Sequence, residues 1–360
     1  AIAWGFLAWT IGMRLGDGWK RIFGAWLVLG FASTLPVMLW LRSVLSESVS
    51  ISLLAIIVGC FIWVSCHPRS VWIFATAASC LCFAATRDAQ VWTILLVICA
   101  VGLTCLVSRP AGRQFRTRFG MLALCLLIGF ALTELGQLAS HRTQVNITDD
   151  YFVRVFPFPS RVAWFAAHGM PDQSSIDALA HLDLPPNGNL AKVVSPAKDT
   201  QFKDLYVWMN THGTSVYVEW LALHPGELLL GPFQTPQQAY DYAAGNLTFY
   251  APSQHVIRAP LTGLLWPGAG WLFELAAIDI VLAVVFGLTA RREFILLVGV
   301  SLIGLISMLI AWQGDGQEVT RHTIEGFVEV RLGLWMLFAF GLTNMSWPKV
   351  RTYFGRLSID

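Results

Sequence analysis

FILLVGVSLIGLISMLIAW, residues 294–312, carries no charged side chain and is close to the roughly 20 residues that a helix needs to cross a hydrocarbon layer. Working outward from it, residues 22–41, 51–66, 71–86, 91–107, 119–138 and 264–290 read the same way. A partial run opens the chain at 1–13, and a last one falls at 330–343. Apolar residues make up 56% of the chain and charged ones only 13%, which excludes an ordinary soluble domain. The expected fold class is all-α: a polytopic transmembrane helix bundle with one mainly helical extracytoplasmic subdomain. Because the run at 1–13 is short for a crossing helix, the beginning of that helix is expected upstream of Ala1.

The long polar stretch 139–261 holds six of the eight His and none of the seven Cys. On either side of it the joints between apolar runs alternate in charge. Arg14, Lys20, Arg21, Arg69, Arg109, Arg113, Arg116, Arg118, Arg291, Arg292, Lys349, Arg351 and Arg356 fall in one set. The short joints of the other set hold only Arg42 and Arg87. Lys and Arg are retained on the cytoplasmic side during insertion, so the first set is assigned to the cytoplasm. Residues 139–261 and the loop 313–329 then lie outside the cell (inner) membrane, and 347–360 form a cytoplasmic tail. The expected division is about six helices in 1–138, the outer subdomain in 139–261, and about three helices in 262–346.

Within the outer stretch, 202–210 and 215–223 read as amphipathic helices, the second stopped by His224-Pro225-Gly226. Ser174 and Ser175 cap a short helix to His181, and Thr235-Pro236 opens another that stops at Gly245. Residues 184–196, rich in Pro, Gly and Asn, read as a loop. Phe156-Pro157-Phe158-Pro159, Trp164-Phe165 and Trp266-Pro267 fit interfacial aromatic anchors. All seven Cys lie in apolar runs and read as small core hydrophobes. Cys80 and Cys82, two apart on a helix, face different ways and make no metal site.

The densest chemistry lies in 313–329. On a helix Glu318, Arg321, His322 and Glu325 fall at i, i+3, i+4 and i+7 and share one face, which runs on into Arg331. That face combines a guanidinium suited to phosphate, an imidazole that titrates near neutrality and carboxylates that orient both. The bland reading is a solvated helix start. After the sixth run come Asp149, Asp150 and Arg154; adjacent acids suit a general base or a divalent cation, and equally a helix cap. Glu134, Glu274 and Asp279 stand inside or at the edge of apolar runs, where carboxylates are costly to keep. No Walker loop, dinucleotide glycine turn, His-Glu-x-x-His or Gly-x-Ser-x-Gly occurs. A net charge of +2 points to no nucleic-acid partner.

Three pieces resemble bacterial polytopic membrane glycosyltransferases of the GT-C type. They are Arg161-Val-Ala-Trp164-Phe165-Ala-Ala-His168-Gly169-Met170-Pro171, then Tyr217-Val-Glu-Trp220-Leu-Ala-Leu-His224-Pro225-Gly226, then Asp315-x-x-Glu318-x-x-Arg321-His322 followed by Arg331-Leu-Gly-Leu-Trp335. The resemblance implies transfer of a sugar from a polyprenyl-phosphate donor to a cell-envelope acceptor at the outer face. Its partners are the lipid-linked sugar and membrane lipid, with either no cofactor or a divalent cation. In that chemistry Arg321, Arg331 and Arg154 hold the phosphate, Glu318 and His322 orient them or the acceptor, and Asp149 or Asp150 is the base. Such enzymes typically place an acidic catalytic residue in the first external loop, which is expected before Ala1 here. A second expectation is a transporter or lipid-linked-sugar flippase, with Glu134, Glu274 and Asp279 converging on one cavity. A third is a non-enzymatic envelope scaffold.

Overall fold

The computed structural model describes residues 1–42, 46–66, 69–86, 88–107, 113–140, 147–171, 202–234, 261–266, 268–288, 292–314 and 319–344. The expectations for 174–181, 184–196, 235–245, Glu318 and the tail from 347 lie outside the described residues, as do the side chains of Arg321 and His322.

No strand occurs among the described residues. The helices are α1 (Ile2–Leu15), α2 (Trp19–Ala32), α3 (Leu35–Arg42), α4 (Ser46–Cys66), α5 (Ser70–Ala84), α6 (Asp88–Val107) and α7 (Arg113–Ser140). Then come α8 (Pro159–Ala167), α9 (Lys203–Trp208), α10 (Thr214–Leu223) and α11 (Pro225–Gln234). Last are α12 (Thr262–Leu265), α13 (Ala269–Val285), α14 (Arg292–Gln313) and α15 (Val319–Thr343). The chain divides into two compact units. Unit 1 comprises Ala1–Thr133, Tyr240–Met308 and Ile324–Asp360, and unit 2 comprises Glu134–Ala239 and Leu309–Thr323.

Fewer helices meet the length and apolarity of a bilayer crossing than the runs suggested. Among the described residues four do, namely α4, α7, α14 and α15, or five if the bent pair α2 and α3 counts as one. At 15 residues α5 rises only about 22 Å, short of the roughly 30 Å hydrocarbon layer. The run at 22–41 is broken after Ala32 by a 64° bend. Pro36 causes it: the ring lacks an N–H and would collide with the Ala32 carbonyl in a continuous helix. Thr34 and Ser33 satisfy the freed end by donating their hydroxyls to the Phe31 and Leu29 carbonyls at 2.7 and 2.8 Å. The run at 264–290 is broken as well, since α12 ends at Leu265 and α13 begins at Ala269.

The larger correction concerns 313–329, expected as an external loop. From Val319 onward it is helix, continuous with the run expected at 330–343. The crossing segment of α15 starts at Thr323 and 78% of it is buried, against 22% for α7, so α15 forms the inside of unit 1 while α7 turns most of its surface outward. Small residues let α14 approach it. A Cβ on Gly326 would lie 2.7 Å from the Gly304 carbonyl oxygen, and one on Gly304 would lie 2.9 Å from that of Gly326. Such small-residue contacts bring helix backbones together where no water drives burial. On the other flank Trp9, Trp63 and Trp72 stack in a ladder across α1, α4 and α5, at 5.3 and 5.4 Å between ring centroids. Lys20 Nζ donates to the Thr343 carbonyl, so the start of α2 and the end of α15 share one end of unit 1.

Five cysteines are described as free thiols. Cys60 and Cys80 are buried as expected, whereas Cys82 and Cys99 are exposed on the outer faces of their helices.

Candidate functional site

Unit 2 is built on aromatic rings. Tyr151 is fully buried, with Phe165 and Trp208 edge-on to it at 5.1 and 5.7 Å and Tyr217 at 6.1 Å. Each such pair adds roughly 0.5–1.5 kcal/mol beyond area burial. Phe156 and Phe165, expected as interfacial anchors, are instead part of this core. Two π-helical turns, Tyr151–Val155 and Met209–Gly213, meet here, joined by the Tyr151 hydroxyl donating to the Gly213 carbonyl at 3.0 Å. Single π-turns of this kind often mark functional sites. Burial first, then the neighbouring phenol and the Asp150 carboxylate, push the Tyr151 hydroxyl above its ordinary pKa; burial and then Asp150 do the same to Tyr217.

Three expected residues come together in this unit. Asp150 is buried, with Oδ1 3.3 Å from Nε of Arg154 one turn on. Arg154 also donates to the Trp312 carbonyl and lies 4.7 Å over the Trp312 ring, a cation closing the last turn of α14. Asp149 is half-buried beside them. Arg161, which was not singled out beyond its motif, organises the rest. Its two terminal nitrogens donate to the Arg154 carbonyl at 2.5 Å and to Glu227 Oε2 at 2.8 Å, and its guanidinium covers the Phe158 and Trp220 rings at 4.0 and 5.1 Å. Tyr217 donates to Gln313 Oε1 at 3.2 Å, and Gln313 Nε2 donates to the Glu227 carbonyl at 3.0 Å.

The two Trp-x-x-x-His pieces end their helices alike. His168 closes α8 and His224 closes α10, each donating Nδ1–H to the carbonyl of the Trp four residues earlier, at 2.7 and 2.8 Å. That bond places a proton on Nδ1 at each site. After His168 the chain turns through Gly169 at φ 92°, a left-handed step that favours glycine. The two ends touch: Trp164 stacks on His168 at 3.7 Å and meets His224 edge-on at 6.0 Å.

Unit 1 holds the second group, on α15. Glu325 was read either as part of a functional charged face or as part of a solvated helix start; it is 1% exposed, and the Ser50 hydroxyl of α4 donates to its Oε1 at 2.7 Å. The physical reason is the early start of α15, which carries Glu325 into the packed interior. Glu329 and Arg331 are buried as well, the Arg331 guanidinium lying 4.4 Å over the Trp266 ring and 5.3 Å from Phe327. Glu47, in the first turn of α4, is also buried. Thr93 of α6 and Ser307 of α14 share a hydrogen bond of 2.9 Å in the same unit. Glu47, Ser50 and Glu329 were missed. Glu329 was findable, since it continues the series of Glu318, Arg321, His322 and Glu325 to i+11 on the same helix face.

The remaining expected residues lie on three helices. Arg321 and His322 occupy the first turn of α15. Glu134 is half-buried on α7. Glu274 is exposed and Asp279 buried five residues later on α13, so these two acids face different ways. Among the described residues no group of three or more His, Cys, Asp and Glu is arranged to hold a metal ion. Comparison of the chain with protein-family models, curated proteins and solved structures finds no match.

Proposed function

We propose that this chain is a membrane glycosyltransferase of the GT-C type, moving a sugar from a polyprenyl-phosphate donor onto a cell-envelope acceptor at the outer face of the cell membrane. The observation that supports it best is the meeting of two of the resembling pieces in one unit, Arg161 on Trp220 and Glu227, and Trp164 on His224, with Gln313 just before the third piece held by Tyr217 and Glu227. An ion pair and ring contacts specify the meeting of these segments.

In this reading the acceptor hydroxyl attacks the anomeric carbon, the bond from that carbon to phosphate breaks, and polyprenyl phosphate leaves. The hydroxyl proton passes to a carboxylate base. Asp150 and Arg154 are engaged with each other and with the end of α14, so Asp149, the more exposed of the adjacent acids, takes the base role. Arg321 stabilises the charge on the departing phosphate, with His322 and Glu318 orienting it. The Lys and Arg ends then face the cytoplasm, and the meeting of Lys20 with Thr343 at one end of unit 1 fits that assignment.

The test is release of polyprenyl phosphate from a panel of polyprenyl-phosphate monosaccharides, with the purified chain in proteoliposomes and cell-envelope extract as acceptor. Arg321→Ala is expected to lower the rate by about 10² or more, as loss of a charge-stabilising donor does. A folded Arg321→Ala protein with an unchanged rate overturns the assignment.

A further inference from the structure

We propose that Glu325, Glu329 and Ser50 form a cation site within unit 1 that takes up a single positive charge, a proton or a monovalent metal ion. Glu325 and Glu329 are one turn apart on α15 and share a face, so two carboxylates stand close together in a helix apolar enough to cross a bilayer. Both are buried, and Glu47 of α4 is a third buried acid in the unit. Arg331, two residues after Glu329, is buried on the same helix. Two adjacent carboxylates held away from water repel each other when both are ionised, so such a pair favours sharing a proton or a cation.

A second observation points to the same place. Glu329 Oε2 is buried with no hydrogen-bond partner among the described residues. An acceptor-only oxygen in that position lacks the one thing a cation provides. The surroundings are hard oxygens: the Ser50 hydroxyl reaches Glu325 Oε1 at 2.7 Å and the Glu47 carbonyl at 3.0 Å. On α4 the charged residue of this stretch is Glu47; on α15 Arg321 and His322 precede Glu325 by one turn and Arg331 follows Glu329 by two residues; α14 approaches α15 with Ser301, Gly304 and Met308. Two carboxylates and a hydroxyl fall short of the six to eight oxygens that Ca²⁺ collects, roughly, and of the octahedron that Mg²⁺ demands, so one positive charge is the better fit. The site is distinct from the sugar-transfer reading, and its test does not depend on transfer.

The experiment is thermal unfolding of the full chain in nanodiscs, followed by tryptophan fluorescence. One arm titrates NaCl or KCl against choline chloride at constant ionic strength; the other varies pH in choline chloride alone. A metal occupant raises the midpoint steadily with the logarithm of Na⁺ or K⁺ concentration. A proton occupant gives no ion preference, and the midpoint instead rises as pH falls. In either case Glu329→Gln flattens the response that the native chain shows. If Glu329→Gln does not fold, Ser50→Ala, which keeps both acids, and ²³Na line broadening on the native chain carry the test. A native midpoint indifferent to both ions and pH overturns the proposal, as does a folded Glu329→Gln chain that responds as the native one does.

Discussion

The Ser50 hydroxyl on α4 donates to Glu325 on α15 at 2.7 Å, tying two apolar helices together through a polar bond shielded from water. Bonds between membrane helices are worth about 0.6 kcal/mol on average and up to about 1.7. Ser50→Ala is therefore expected to cost about 1 kcal/mol in unfolding free energy, read by denaturant titration in detergent. Glu325→Ala should cost more, since it also empties a packed position; equal costs would show that the bond itself carries the whole effect.

Gly326 and Gly304 face each other at backbone distance. Gly326→Ala pushes its new methyl onto the Gly304 carbonyl and Met308 backbone, so a loss of about 1–3 kcal/mol is expected. Gly299 on the same helix α14 has nothing within 4 Å of its would-be Cβ, and Gly299→Ala should be neutral or gain up to ~1 kcal/mol. The opposite signs can be read from paired melting curves, and a harmless Gly326→Ala would contradict the close approach.

These two cases also mark what the sequence made legible. The apolar runs were visible because a crossing helix needs a long uncharged stretch, and α4, α7, α14 and α15 follow from that. Charge hid the start of α15: Arg321, His322, Glu325 and Glu329 look like a solvated loop until Ser50 and tight packing absorb two of them. Phe156 and Phe165 were read as interfacial because aromatic density alone does not tell a water-facing edge from an aromatic core. The pairings of Arg161 with Glu227 and of Asp150 with Arg154 differ in the same way: the second lies one turn apart and is readable, the first joins residues that only the tertiary fold brings together.

Arg161 and Glu227 are partly exposed, at 16% and 32%, so their charge attraction alone is worth less than about 1 kcal/mol. Arg161 also bonds the Arg154 carbonyl and covers two rings. Arg161→Ala should accordingly destabilise unit 2 by roughly 1–3 kcal/mol, and Glu227→Gln by under ~1 kcal/mol. High salt should narrow the Glu227→Gln effect while leaving most of the Arg161→Ala effect in place.

Tyr151 and Tyr217 give unit 2 an alkaline limit. Their folded pKa values lie above the ordinary phenol value, so their contribution to stability is fully present below about pH 10 and is lost as pH rises from there toward the folded values. The denaturant midpoint, followed by near-ultraviolet circular dichroism, should fall above about pH 10, and Tyr217→Phe should soften that fall. An equally steep fall in the variant would place the alkaline loss elsewhere.

The sugar-transfer proposal stands on one topological premise, that the polar stretch 139–261 and the turn carrying Arg321 share the outer compartment. Single cysteines at Gly188 and Gly314 in a cysteine-free background, probed in intact cells with a membrane-impermeant maleimide, measure it directly. Labelling of both from outside is the predicted result; labelling of the two positions from opposite sides of the membrane contradicts it.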